Sequence, residues 1–240
     1  MLISCLFDVI KCLCYPKKDT VRPVELSKSG GTVKSHTRQD DRVEQIYQNA
    51  LALFLERGYD NTPLSLIAKK SGLSKAGLYH YFENKEQLLF SIHQDRIENF
   101  LLPIVDRAEK ESDPEKRLKL FLREYVITMT HEPTQLLIHE AKRLEPEHYQ
   151  EILKSWRRVL RLLTHTISEL KNRGKVPQAL NVTFSAFAAI GMCIWTSYWF
   201  DKSRPESTEE LVDTITHIFL SGIQSKNCLT DVSETQTGSD

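Results

Sequence analysis

The run GYDNTPLSLIAKKSGLSKAGLYHYFENKEQLL, Gly58–Leu89, decides how the rest of the chain is read. Asn61-Thr62-Pro63 offers an N-cap followed by proline at a first helical position. This opens a short helix that turns Leu64, Ile67 and Ala68 to one side and stops near Gly72. Ser74 is placed to cap a second short helix, Lys75 to Phe82, and Asn84 a longer one that starts at Lys85 and runs past Phe100. Ahead of the run, Val43, Ile46, Tyr47, Ala50, Leu51 and Phe54 follow the spacing of one buried helix face, and Arg57-Gly58 supplies a basic last turn and a glycine stop. A longer support helix followed by two short ones joined through Ser71-Gly72-Leu73-Ser74 is the pattern of a helix-turn-helix. The glycine lets the chain leave one helix, Leu73 plugs the turn, and Ser74 starts the next. Any small three-helix bundle needs the same glycines and caps, so the pattern alone leaves a purely structural reading open.

Further along, the 3.6-residue period predicts helices at about 114–130, 134–144, 146–173, 180–201 and 207–223. They are punctuated by Asp113-Pro114, Glu132-Pro133, Glu145-Pro146, Gly174 with Pro177, and Arg204-Pro205. Pro103 is expected to kink or end the helix that begins at Lys85, because it removes a donor and crowds the preceding turn. No alternating strand survives, so the expected fold is all-α. The segment FSAFAAIGMCIWTSYWF, Phe184–Phe200, is apolar nearly all round and calls for cover on more than one side. A four-helix interface between two subunits is the natural cover, built from Phe184, Ala188 and Trp199 on one helix and Leu211, Ile215, Ile218 and Phe219 on the next.

Composition narrows the classes. With 240 residues and 40% hydrophobic side chains the chain can fill real cores, but 32 basic residues are balanced by 32 acidic ones, so a polyanionic partner has to be argued from local residues. Cysteines 5, 12, 14, 193 and 228 are odd in number and show no C-x-x-C pair, which fits a reducing cytoplasm. Met1–Tyr15 is apolar but interrupted by Asp8 and Lys11 and too short to span a bilayer, so no membrane partner is expected. The polar run up to Thr37, with Lys17, Lys18, Arg22, Lys28 and Lys34, reads as a flexible arm, and 224–240 reads as a frayed tail. The eight histidines are scattered over separate helices, and neither H-E-x-x-H, G-x-S-x-G nor a phosphate-cradling glycine loop occurs. No catalytic residue, metal or cofactor is therefore expected.

Within Gly58–Leu89, the residues Gly58-Tyr59, Thr62, Ile67-Ala68, Gly72, Ser74, Leu78-Tyr79, Tyr81-Phe82, Lys85-Glu86 and Leu88 together resemble the DNA-binding domain of the tetracycline-repressor (TetR) family. The resemblance is close over 38–90 and continues loosely to Ile223 as helix count and order. One departure is Ala76 where the family commonly has glycine, with Gly77 next. The resemblance implies a helix-turn-helix domain over 38–84 and a helical ligand-binding and dimerisation domain over 85–223; composition marks 1–37 as a disordered extension and 224–240 as a disordered tail. It also implies a homodimeric repressor that binds a palindromic double-stranded DNA operator and is released by a small apolar or amphipathic effector.

On the duplex, Lys75, Ala76 and Gly77 would face base edges from the first turn of the recognition helix, Lys75 offering a donor to guanine and the small pair allowing close approach. Ser74 would start that turn, Tyr79, His80 and Tyr81 would reach the flanking backbone, and Thr62 and Lys85 would meet phosphates. Lacking a large basic surplus, the domain should show moderate salt dependence. Phe121, Tyr125, Trp156, Leu160, Phe187 and Trp195 are the candidates to line an effector cavity, although packing alone explains such residues as well. His139–Leu163 and Ala189–Asp201 further resemble the family branch that senses acyl-CoA thioesters, for which Lys142, Arg143, Arg157, Arg158 and Arg161 would supply cations to the phosphates or simply form solvated faces. A rival outside this family is a helical adaptor that uses the apolar 184–200 segment to hold another protein.

Overall fold

The computed structural model describes residues 38–130, 134–201 and 207–225, and these are helical with no strand among them. Expectations for the N-terminal arm and for the tail beyond Ser225 lie outside the described residues. In chain order the helices are α1 (Arg38–Arg57), α2 (Leu64–Lys70), α3 (Lys75–Tyr79), α4 (Lys85–Arg96), α5 (Leu102–Lys110), α6 (Pro114–Thr130), α7 (Thr134–Glu140), α8 (Pro146–Asn172), α9 (Val182–Trp199) and α10 (Thr208–Gln224). Their starts are set locally. Asp113 accepts from the N–H groups of Glu115 and Lys116, Asn181 from Phe184 and Ser207 from Glu210, so α6, α9 and α10 each begin on a side-chain cap.

Pro103 neither ends the helix nor leaves it regular. A π-helical turn, Ile97–Leu101, joins α4 to α5, and the proline sits near the α5 start. Residue 103 has no N–H for the carbonyl four residues back, at Asn99, and its ring would strike that carbonyl; the wider turn moves the carbonyl aside.

The chain divides into two compact units. The head is the helical chain up to Ile92 together with Ile138–Pro146; the body is His93–Leu137 and the chain from Glu147 onward. The division thus falls inside α4 rather than at Asn84. Leu88, Leu89 and Ile92 are wholly buried and complete the head's core with Ile46, Ala50, Phe54, Ile67 and Leu78. Each such large side chain contributes roughly 1.5–3 kcal/mol, so those first turns of α4 belong with the head energetically as well.

In the body α6 is the central helix, packed by α5, α9 and α10. Arg117 of α6, itself buried, is pinned by the Glu111 carbonyl at 2.9 Å and by the Glu169 carboxylate of α8. Helix α9 is long and apolar enough by composition to cross a membrane, but Ser185, Ala186, Ala189, Ile190, Cys193, Ile194 and Thr196 form a face buried within this chain.

Candidate nucleic-acid interface and effector core

The helix-turn-helix is built around a glycine. Gly72 has φ +64°, the Leu73 N–H bonds back to the Ala68 carbonyl at 2.8 Å and the Gly72 N–H to Lys69 at 3.1 Å, so the end of α2 closes on itself and swings the chain into Ser74. The Ser74 hydroxyl oxygen then accepts from the Gly77 N–H at 3.0 Å, which starts α3. Leu78 and Phe82 anchor α3 inward. Asn49 of α1 donates to the buried Ser71 hydroxyl at 3.2 Å and fixes the turn against the support helix.

This anchoring leaves Ser74, Lys75, Ala76, Tyr79 and His80 exposed and Gly77 and Tyr81 half-buried, as one continuous surface. The Lys75 amine lies over the Tyr79 ring, 5.8 Å from its centroid. From Thr62 to Phe82 there are three lysines, Lys69, Lys70 and Lys75, and no acidic residue. Lys69 and Lys70 are exposed at the end of α2, and a charge balance taken over the whole domain averages them out. A local surplus of this kind is what a phosphate backbone attracts.

Two expected DNA contacts lie elsewhere. Thr62 is 0% exposed, with its hydroxyl donating to the Gly58 carbonyl at 2.9 Å, so it offers a phosphate no surface. Lys85 turns inward: its amine donates to the Tyr59 carbonyl at 2.8 Å and sits 4.3 Å from the Tyr59 ring centroid. Desolvation lowers the Lys85 pKa, and burial, followed by the nearby Glu86 carboxylate, pushes the Tyr59 phenol up to about 12. Against the same corner, Arg143 donates to Asp60 at 2.5 Å and faces Glu140 at 3.3 Å, and the Glu145 N–H donates to Glu86 at 2.9 Å. The segment 138–146 is thereby held onto the head by Asp60 and Glu86.

In the body, Phe121 and Tyr125 are wholly buried, and Trp156, Leu160 and Phe187 are half-buried. Phe121 and Tyr125 lie 5.2 Å apart by ring centroid, and Trp156 meets Tyr125 edge-on at 6.4 Å. Trp195 does not join them. It is 60% exposed and stacks on Tyr198 of its own helix. Its neighbours on the surface are Phe184 at 70% and Trp199 at 50%, with Ala188 between. At 100° per residue these four fall within an arc of about 60°. Of the expected interface residues on α10, Leu211 and Phe219 are buried inside this chain and Ile215 is half-buried, whereas Ile218 is 54% exposed. The helical period marks the stripe on α9, but which face of α10 its own chain covers is not a local property.

Residues 46–92 match the family model "Bacterial regulatory proteins, tetR family", and residues 111–223 match "Tetracyclin repressor-like, C-terminal domain". The chain belongs to the TetR family. Among its relatives is the fatty acid metabolism regulator protein of Bacillus subtilis (strain 168), 23% identical over 190 residues, covering 76% of this chain and 95% of that one. The crystal structure of AibR in complex with isovaleryl coenzyme A and operator DNA is similar with a TM-score of 0.66 at 27% identity, covering 74% of this chain and 97% of AibR. The fatty acid degradation regulator FadR from Bacillus halodurans has a TM-score of 0.62 at 25% identity, covering 80% of this chain and all of that one. The TetR reading and the all-helical fold expected from Gly58–Leu89 are both met.

Proposed function

We propose that this TetR-family regulator is a homodimeric repressor, working in the cytoplasm, that binds a palindromic operator through α3 and is released by an acyl-CoA thioester. The observation that carries the DNA half is the exposed, acid-free surface Ser74–Tyr81, with Lys69 and Lys70 exposed on the helix before it. In this reading Lys75, Ala76 and Gly77 meet base edges, Ser74, Tyr79, His80 and Tyr81 meet the sugar-phosphate backbone, and Lys69 and Lys70 add charge beside them. Phe184, Ala188, Trp195, Trp199 and Ile218 pair two subunits, since exposed aromatics confined to one stripe mark an interaction surface.

The effector half is supported by the relatives' fatty-acid roles, by the AibR complex, and by which cations remain free. Arg158 is committed to Asp106 at 2.6 Å and Glu109 at 2.5 Å, and Arg143 to Asp60. Arg157 and Arg161, one turn apart on α8, face no carboxylate within ion-pair distance among the described residues; Arg157 reaches only Gln150, at 3.4 Å. They are the better candidates for coenzyme A phosphates, beside Trp156 and Leu160. Release requires the effector to favour the DNA-incompetent state, because equal affinity for both states shifts nothing.

The test is selection of bound sequences from a random duplex pool at a stated salt concentration, followed by addition of acyl-CoAs and free fatty acids to the selected site. An enriched palindrome released by acyl-CoA is the expected result. A palindrome unmoved by acyl-CoAs removes the effector class and keeps the repressor; no enrichment returns the chain to the adaptor reading.

A further inference from the structure

Besides Arg96 Nε, which faces the Asp95 carboxylate at 3.8 Å, three buried side-chain atoms of the body have no hydrogen-bond partner among the described residues: Tyr125 Oη, His93 Nε2 and Thr216 Oγ1. Tyr125 stands out among them, because it sits with the aromatic candidates of the effector core. It projects from α6, the central helix of the body, and is wholly buried between Phe121 and Trp156. Cys193 of α9 is close enough to act on it electrostatically, yet no hydrogen bond joins them. A buried tyrosine ordinarily places its hydroxyl against an acceptor, and an unmet one is destabilising. Phenylalanine would fill the same space without that cost.

Resting on the acyl-CoA reading above, we infer that the Tyr125 hydroxyl is the donor that reads the thioester carbonyl oxygen of the effector, while Phe121 and Trp156 pack the neighbouring carbons. Burial drives the Tyr125 pKa well above its ordinary value, so the group stays a protonated donor at every working pH. Trp156, half-exposed and edge-on to Tyr125, stands on α8, the helix that also carries Arg157 and Arg161. A donor inside and cations outside suit a ligand whose acyl end is apolar but for one carbonyl and whose other end is phosphorylated.

The experiment compares saturated short-, medium- and long-chain acyl-CoAs with S-alkyl-CoA thioethers of equal length, which lack the carbonyl oxygen. Binding to the full-length protein and to Tyr125→Phe is followed by calorimetry. The wild type should prefer thioester over thioether by about three- to tenfold, the worth of one hydrogen bond, and Tyr125→Phe should lose that preference. Without ligand, Tyr125→Phe should melt no lower than the wild type, because it deletes an unmet polar group; a structural hydroxyl would give a lower melting temperature. Equal preference in both proteins overturns the assignment of Tyr125 and leaves the acyl-CoA reading standing. A wild type that binds none of these probes overturns both.

Discussion

Head and body differ in how they treat polar groups. In the head, inward-facing polar side chains find partners: Thr62 on Gly58, Lys85 on Tyr59, Asn49 on Ser71. Even Glu140 Oε2, which lacks a hydrogen bond, faces Arg143 Nε at 3.3 Å. The body buries Tyr125, His93 and Thr216 with side-chain atoms unmet and turns three large aromatics outward on α9 and Ile218 outward on α10. A head complete in itself suits a part that has to present α3 in one fixed geometry. A body with unmet polar atoms and uncovered apolar surface suits a part completed by other molecules.

The largest expected effect follows from the uncovered surface. Trp195→Asp combined with Trp199→Asp should yield monomers in sedimentation and weaken operator binding by more than roughly a hundredfold, because the two half-sites no longer act together. A variant that remains dimeric would move the interface elsewhere.

The next effect is one of pH. Burial lowers the His93 pKa from 6.5 to about 4, so the unfolded chain takes up a proton more readily than the folded one. Stability from this source is constant above pH 6.5, is lost as pH falls from there to about 4, and levels off below; the loss amounts to about 3 kcal/mol. His93→Gln should flatten that part of a denaturation profile.

In the head, Lys75→Ala should cost about tenfold to a hundredfold in operator affinity, measured by mobility shift, with unchanged melting. Lys85→Met makes the sharper comparison. If Lys85 is an internal tie, the head loses about 1 kcal/mol of stability and the slope of log affinity against log salt stays the same; a phosphate contact would instead lower that slope by about one. The smallest effect is expected from Gly77→Ala. A methyl group there would lie 3.2 Å from the Ser74 hydroxyl, crowding the cap and the approach to DNA, with a loss of about 0.5–1 kcal/mol in stability or binding.

Much of this was legible in the residues. Ser74, Asn84, Asp113, Gly72 and Gly174 act within a few positions of themselves, as caps and left-handed stops, so each helix boundary they mark could be read without tertiary knowledge. The inward faces of α1 and α3 likewise follow from the helical period. Thr62 and Lys85 misled for the opposite reason: both have the chemistry of phosphate contacts, and only partners brought in by folding, Gly58 and the Tyr59 corner, take that chemistry inward. Trp195 and Leu211 exchanged sides of the body on the same grounds. Hydrophobic spacing says that a helix has an apolar face, and it says so from local geometry alone. Whether that face meets its own chain or another molecule depends on contacts between residues far apart in sequence, and those are settled by packing.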